Sequence, residues 1–239
     1  MFGYTEWLLI IILYSTNSYP REDSFMNKIG LGLHALRILT AFFTLTLFMN
    51  VFAATDYLKG KYNVDPAHTR ISFIVPHFVV SEVEGRFNDV KGEFILADPF
   101  TESRVSATIP VKSIDTGIKE RDDHLGSKDF FEVTKYPEMK LVSKSITGTP
   151  ESFKMIAALT IKDVTKDVIF ECKYTGSVKD TWGQQRAALQ ATAKVNRKDF
   201  NINYDDKIDI GPAVGDEVKI RLWTEGVKAE DSKKGPPKK

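Results

Sequence analysis

From Tyr62 onward, apolar and polar residues alternate with a period of two, the mark of strands that bury one face. Ile71, Phe73, Val75, His77 and Val79 share one parity in "ISFIVPHFVVSEVEGRF", and Val90, Gly92, Phe94 and Leu96 share one in the next run. "RVSATIPVKSI" aligns Val105, Ala107, Ile109 and Val111, and "SFKMIAALTIK" aligns Phe153, Met155, Ala157, Leu159 and Ile161. "DVIFECKYTG" puts Val168, Phe170, Cys172 and Tyr174 together. "QRAALQATAKVNR" does the same for Ala187, Leu189, Ala191, Ala193 and Val195, and "DEVKIRLWTEG" for Val218, Ile220 and Leu222. "MKLVSKSITG" is strand-like but poorly patterned. The turn signals "ADP", "TGTPES", "KDVTKD" and "KDTWGQ" separate the runs. About eight long strands with short connections predict an all-β antiparallel meander. Closing it into a barrel removes its exposed edges.

"SIDTGIKERDDHLGSKDFFEVTKYP" breaks the alternation. Asp115 or Thr116 is suited to cap a helix, Ile118 and Leu125 fall on one face, and Gly126 suits the stop. One short inserted helix is therefore expected to cap a barrel end. Inward small residues (Gly92, Ala107, Ala157, Ala187, Ala191, Ala193) leave space or accommodate barrel taper.

The N-terminus follows another pattern. Ile38 to Val51 is an uncharged apolar run, preceded by Lys28 and Arg37 and followed by "FAAT", as in a secretory leader. The first 25 residues carry Glu6, Glu22, Asp23 and a second apolar patch, "WLLIIILY". Met26 is therefore the expected start, with cleavage after Ala53 or Ala54. Removing 54 of 239 residues leaves 185, enough for one domain with a full core. The domain is expected over 55–228, with 229–239 a disordered basic tail. Such a leader predicts an exported chain.

Composition changes little in this picture. The chain is 42% hydrophobic and 27% charged, with net charge +1, so no nucleic-acid footprint is present. The lone cysteine, Cys172, precludes an internal disulfide and reads as a small buried hydrophobe. His68, His77 and His124 remain after the leader. No G-x-S-x-G motif accompanies them, and His68 and His77 have opposite parity, which is poor for joint metal ligation. No catalytic residue, metal site or cofactor is expected. His77 is either a hydrogen-bonded core histidine or a polar anchor inside a channel. Arg121, Asp122 and His124 form the densest polar group. They suit head-group recognition, or pairing of Arg121 or Arg197 with Asp122 or Asp199 to lock the helix down.

Five pieces in order carry a family resemblance: "YNVDPAHTRISFIVPHFVVSEVEGRF", "SIDTGIKERDDHL", "DFFEVTKYPEM", "ALTIKDVTKDV" and "NRKDF". From about Tyr62 to Val227 the chain resembles YceI-like domains. It departs from them at Lys140, Asp163 and Asn201, where an apolar residue, Gly and Gly are common. The resemblance implies an extended lipocalin-like barrel whose apolar channel holds a polyisoprenoid or similar long-chain amphiphile, for storage or transport. The implied channel lining is Phe73, Val75, His77, Phe94, Ala107, Ile109, Met155, Ala157, Phe170, Leu189, Ala191 and Ala193. Arg121, Asp122, His124 and Arg197 are the head-group or helix-locking candidates. The expected partner is a long-chain isoprenoid or acyl lipid, with room for a homodimer and for transient membrane contact. The alternatives are an enzyme acting on such a lipid and a haem or metal carrier.

Overall fold

A computed structural model describes residues 57–208 and 211–232, with backbone alone at 207 and 208. The predicted leader, the Met26 start, the cleavage site and most of the basic tail lie outside the described residues. The strands are β1 (Gly60–Val64), β2 (Arg70–His77), β3 (Ser81–Phe87), β4 (Lys91–Leu96), β5 (Arg104–Pro110) and β6 (Ile114–Asp115). After helix α1 (Lys119–Leu125) come β7 (Glu138–Thr149), β8 (Ser152–Ile161), β9 (Val164–Lys179) and β10 (Gln185–Asn196). The short β11 (Lys207–Ile208) and β12 (Gly211–Pro212) precede β13 (Glu217–Lys228).

Strands β1, β4, β5, β7, β8, β9, β10 and β13 pair antiparallel in that order, and β13 returns to β1. The result is a closed eight-stranded barrel. Along one edge β13 pairs with two strands, β2 through Lys219–Trp223 and β1 through Gly226–Lys228. A 3₁₀ turn at Pro66–His68 divides them, started by Asp65, whose Oδ1 accepts the Ala67 N–H at 3.0 Å. β3 and β6 extend the sheet beyond β2.

Burial follows the pleat. In β8, Phe153, Met155, Ala157, Leu159 and Ile161 are all buried while Lys154 and Ile156 face out. β7 does not alternate because its register shifts between Ser143 and Ser145. The extra residue, Lys144, moves the buried set from Met139 and Leu141 to Ile146. Ser143 Oγ then accepts the Val105 N–H at 2.9 Å, in place of a ladder carbonyl. Glycine is needed at Gly226, where a Cβ would come within 2.6 Å of the Phe94 ring. Its absence lets Phe94 stack on Tyr62 at 5.0 Å.

The family departures fall where the backbone tolerates them. Lys140 is exposed, and Asp163 lies between β8 and β9 in a two-residue turn. Asn201 is left-handed (φ 57, ψ 31) after the 3₁₀ turn Arg197–Phe200, a conformation that Asn, like Gly, accepts.

Two expectations need correction. The β2 strand stops at His77, because Phe78 (φ 50) and Val79 (φ 63) turn the chain back into β3. Val79 therefore leaves the inward face and is exposed. Neither Asp115 nor Thr116 is the N-cap of α1. Ile118 is, with no side-chain cap. Asp115 Oδ1 instead accepts the Gly117 N–H at 2.9 Å and so shapes the approach to the helix.

Candidate functional site

The barrel is closed at one end and open at the other. At the closed end, Tyr57 lies edge-on to Phe100 and Tyr174, and Phe100 to Phe153. Tyr57 Oη donates to the Ala97 carbonyl at 2.5 Å, tying the chain across that end. Nearby, Arg186 donates to Asp180 (2.8 Å), Asp65 (2.8 Å) and Glu225 (2.6 Å). Hydrogen bonding to Arg186 holds the Asp180 carboxyl below its ordinary value. Burial pushes Asp65 upward, yet hydrogen bonds from Arg186, His68 and the Ala67 N–H together bring it below its ordinary value.

Between the ends lies a cavity of about 420 Å³ with a mostly apolar wall. Phe73, Val75, His77, Phe94, Ala107, Ile109, Met155, Phe170, Leu189 and Ala191 all line it. Ala157 and Ala193 do not: both are buried, but packed beside the wall. Inward parity alone does not reach the lumen where neighbouring side chains cover a small residue. Phe73 can lie across β3 because Gly85 has no Cβ to collide with its ring. Cys172 is on the wall, and burial, with Glu171 nearby, pushes its thiol up to about 12.

The charged groups and histidines of the lining collect at the mouth. Arg121 reaches the cavity from α1 and donates through Nε to Thr116 Oγ1 (2.7 Å) and through Nη2 to the Thr116 carbonyl (2.7 Å). Its Nη1 has no partner among the described residues. Asp122 does not pair with either arginine. Its Oδ1 accepts the Thr116 N–H (2.9 Å) and hydroxyl (2.6 Å), so Thr116 bridges Arg121 to Asp122. His124 Nε2 lies 3.3 Å from Asp129 Oδ2, with its ring edge-on to Phe130 and Tyr204.

Arg197 is buried and donates to the carbonyls of Gly215 (3.0 Å), Ile202 (2.8 Å) and Val214 (3.2 Å). Its Nη2 also lies 2.9 Å from Asp216 Oδ1, an ion-pair contact without hydrogen-bond alignment. Arg197 therefore ties Ile202, Val214 and Gly215 together at the mouth and does not hold α1. His77 lies against Phe78, 3.9 Å between centroids with the rings tilted by 45°, and its ring makes no hydrogen bond among the described residues. That disfavours a hydrogen-bonded core histidine and leaves the ring facing the cavity.

Sequence reasoning missed the Arg186 cluster, whose partners are scattered at 65, 180 and 225. Asp65, His68 and Glu225 lie close enough to hold a metal ion. However, Asp65 and Glu225 already accept from the Arg186 cation, which neutralises the attraction a second cation needs.

A closed antiparallel barrel with an apolar lumen and a polar mouth is built like the ligand-carrying barrels of the lipocalin type. The chain belongs to the YceI-like domain family, whose model matches residues 62–225. It is 36% identical over 186 residues to protein YceI of Shigella flexneri, covering 77% of this chain and 95% of that one. The crystal structure of the Campylobacter jejuni YCEI protein superposes with a TM-score of 0.56 at 27% identity, over 64% of this chain and 89% of that one. A polyisoprenoid-binding domain from Saccharophagus degradans shares the fold, with a TM-score of 0.56 at 13% identity over 72% and 99%.

Proposed function

We propose that the chain is an exported carrier that holds a polyisoprenoid, or a comparable long-chain amphiphile, in the barrel cavity for storage or transport. It performs no reaction on that ligand and needs no cofactor. The carrying observation is the mostly apolar lumen, covered by aromatic rings at one end, with its charged side chains and histidines gathered at the other. Each methylene buried there contributes about 0.8 kcal/mol, so a long chain binds through area and needs polar contacts only at its head. His77 and Arg121 Nη1 are the groups placed to meet that head. The Saccharophagus degradans domain, named for binding polyisoprenoid, supports the ligand class through its shared fold. The apolar run Ile38–Val51, following basic residues, supports export to the periplasm.

Binding is favoured over catalysis by what the cavity contains. Cys172 is held protonated by its burial. Among the described residues no hydroxyl or thiol nucleophile there is hydrogen-bonded to a histidine. Native mass spectrometry of the protein purified from its host tests the reading. A prenyl-lipid mass that stays bound is expected, together with uptake of added long prenols. A protein that retains no lipid and takes up neither prenols nor fatty acids overturns it. Turnover of the added prenol that is abolished by His124→Ala supports the enzyme instead.

A further inference from the structure

The turn between β2 and β3 is built against ordinary chemistry. Phe78, Val79 and Val80 are 40%, 61% and 78% exposed, three consecutive apolar side chains in water. Phe78 and Val79 also have left-handed backbones (φ 50 and 63). Asn, Asp or Gly adopts that conformation at little cost, whereas a β-branched valine is strained in it. Polar turn residues would therefore improve both solubility and backbone energy here. Strain of this kind, retained at an exposed apolar site, points to function.

The location supplies the function. Pro76, His77 and Phe78 line the cavity mouth, so the exposed apolar tip continues directly into the lumen wall. The turn is anchored rather than loose: Phe78 N–H donates to the Ala213 carbonyl at 3.0 Å, and Gly215 N–H to the Pro76 carbonyl at 2.9 Å. The nearest charge along β3, Glu82, is paired with Lys219 at 2.8 Å.

We propose that the Phe78–Val80 tip docks on a lipid bilayer, so that an apolar ligand passes between membrane and cavity without crossing water. This rests on the ligand-binding reading above and names the partner of the same mouth. A second copy of the chain fits less well. A stable protein interface buries about 1,200 Å² or more in total, which three side chains on a convex turn do not provide. A fluid bilayer accepts such a protrusion without needing a complementary groove. Because the contact is apolar, it should form on uncharged lipid and persist in high salt.

The test compares the purified full chain with the double variant Val79→Asn/Val80→Asn and the single variant Val80→Asn. All retain Phe78 and the same N-terminus. Asparagine accepts the left-handed turn, so both variants should fold. Val142→Asn/Ile169→Asn removes exposed apolar area from the outer wall as a control, since both residues are more than half exposed. Flotation with phosphatidylcholine vesicles and transfer of a fluorescent prenyl probe from them are measured. Affinity for farnesol in solution is measured separately.

The double variant is expected to bind vesicles and accept probe at least tenfold more weakly and slowly, with Val80→Asn intermediate. Farnesol affinity and the control variant should match the wild type. Unchanged vesicle binding in the double variant overturns the proposal, as does an equal loss in the control. So does a change in oligomeric state in place of vesicle binding. If the wild type binds no farnesol, the cavity reading fails, while flotation still decides the role of the tip.

Discussion

Two arginines at opposite ends of β10 are buried by different means. Arg186, at the sealed end, is 12% exposed and meets three carboxylates from three separate segments: the start of β2's approach, the β9–β10 turn and β13. Arg197, at the mouth, is 4% exposed and spends its donors mostly on backbone carbonyls, with one carboxylate that is 40% exposed. Charge therefore stitches the sealed end together, while hydrogen bonds to the backbone hold the mouth. The first arrangement responds to pH and the second largely does not.

The largest expected effect comes from Arg197→Met. It orphans three carbonyls at once, and losing bonds to a buried charged donor on this scale costs about 4 kcal/mol. Urea unfolding should show that loss nearly unchanged between neutral and mildly acidic pH. Arg186→Met should cost about 3 kcal/mol, discounted for the partial exposure of the cluster, because it leaves like charges facing one another. Its pH behaviour should differ. Asp65 and Asp180 have folded-state values below the ordinary 3.8, so the stability they contribute is full above that value. It is lost as pH falls through their folded values. Without Arg186 that contribution is gone, so the gap from wild type should be widest near neutrality and close in acid. A pH-independent deficit in Arg186→Met would erase the distinction between the ends.

Asp115 provides a second titrating latch, this one beside the helix. Hydrogen bonds from Asn88, then Arg86 and the Gly117 N–H, hold its carboxyl down to about 2. Its contribution is likewise present above the ordinary value and lost as pH falls toward 2.

These differences bear on what could be read from the chain. Period two places the buried faces of β4, β8 and β9 without error, because each packs one face against the lumen and keeps the other in water. It loses β7 at Lys144, where one extra residue swaps the faces and leaves no compositional mark. It also runs past His77, since the turn there uses Phe78 and Val79 rather than the Gly or Asn that usually signals one. The helix was legible but its cap was not: Asp115 and Thr116 have suitable side chains, yet they serve the preceding turn and Arg121. Parity could not separate Ala191, on the cavity wall, from Ala193, beside it. The Arg186 cluster depends on register among distant strands, which no local pattern encodes.

The two alanines sharpen the contrast between lumen and packed core. Ala193→Phe has no cavity to fill and should cost about 2 kcal/mol through overpacking. Ala191→Phe projects into the lumen, so its stability cost should stay below about 1 kcal/mol. Its prenol affinity should fall at least tenfold, about 1.4 kcal/mol. Thermal unfolding and prenol titration of the pair read both quantities. Equal affinities would mean that the ligand does not occupy the lumen beside β10.

The gentlest probe changes no residue. Cys172 pairs across the sheet with Ala191 and lines the same wall. Burial raises its thiol from 9.0 to about 12. Only the thiolate attacks an alkylating reagent, so the reactive fraction near pH 8 falls by about 10³ relative to an ordinary thiol. Iodoacetamide should therefore modify Cys172 about a thousandfold more slowly than it modifies the urea-unfolded chain. A ligand in the lumen adds a steric barrier over the same sulfur, so loading with a long prenol should slow the reaction further. A prenol that leaves the rate unchanged lies nearer the mouth, away from the β9–β10 wall. A rate matching the unfolded chain would show that water reaches the lumen freely, and the barrel would then lack the dry interior on which the apolar binding argument depends.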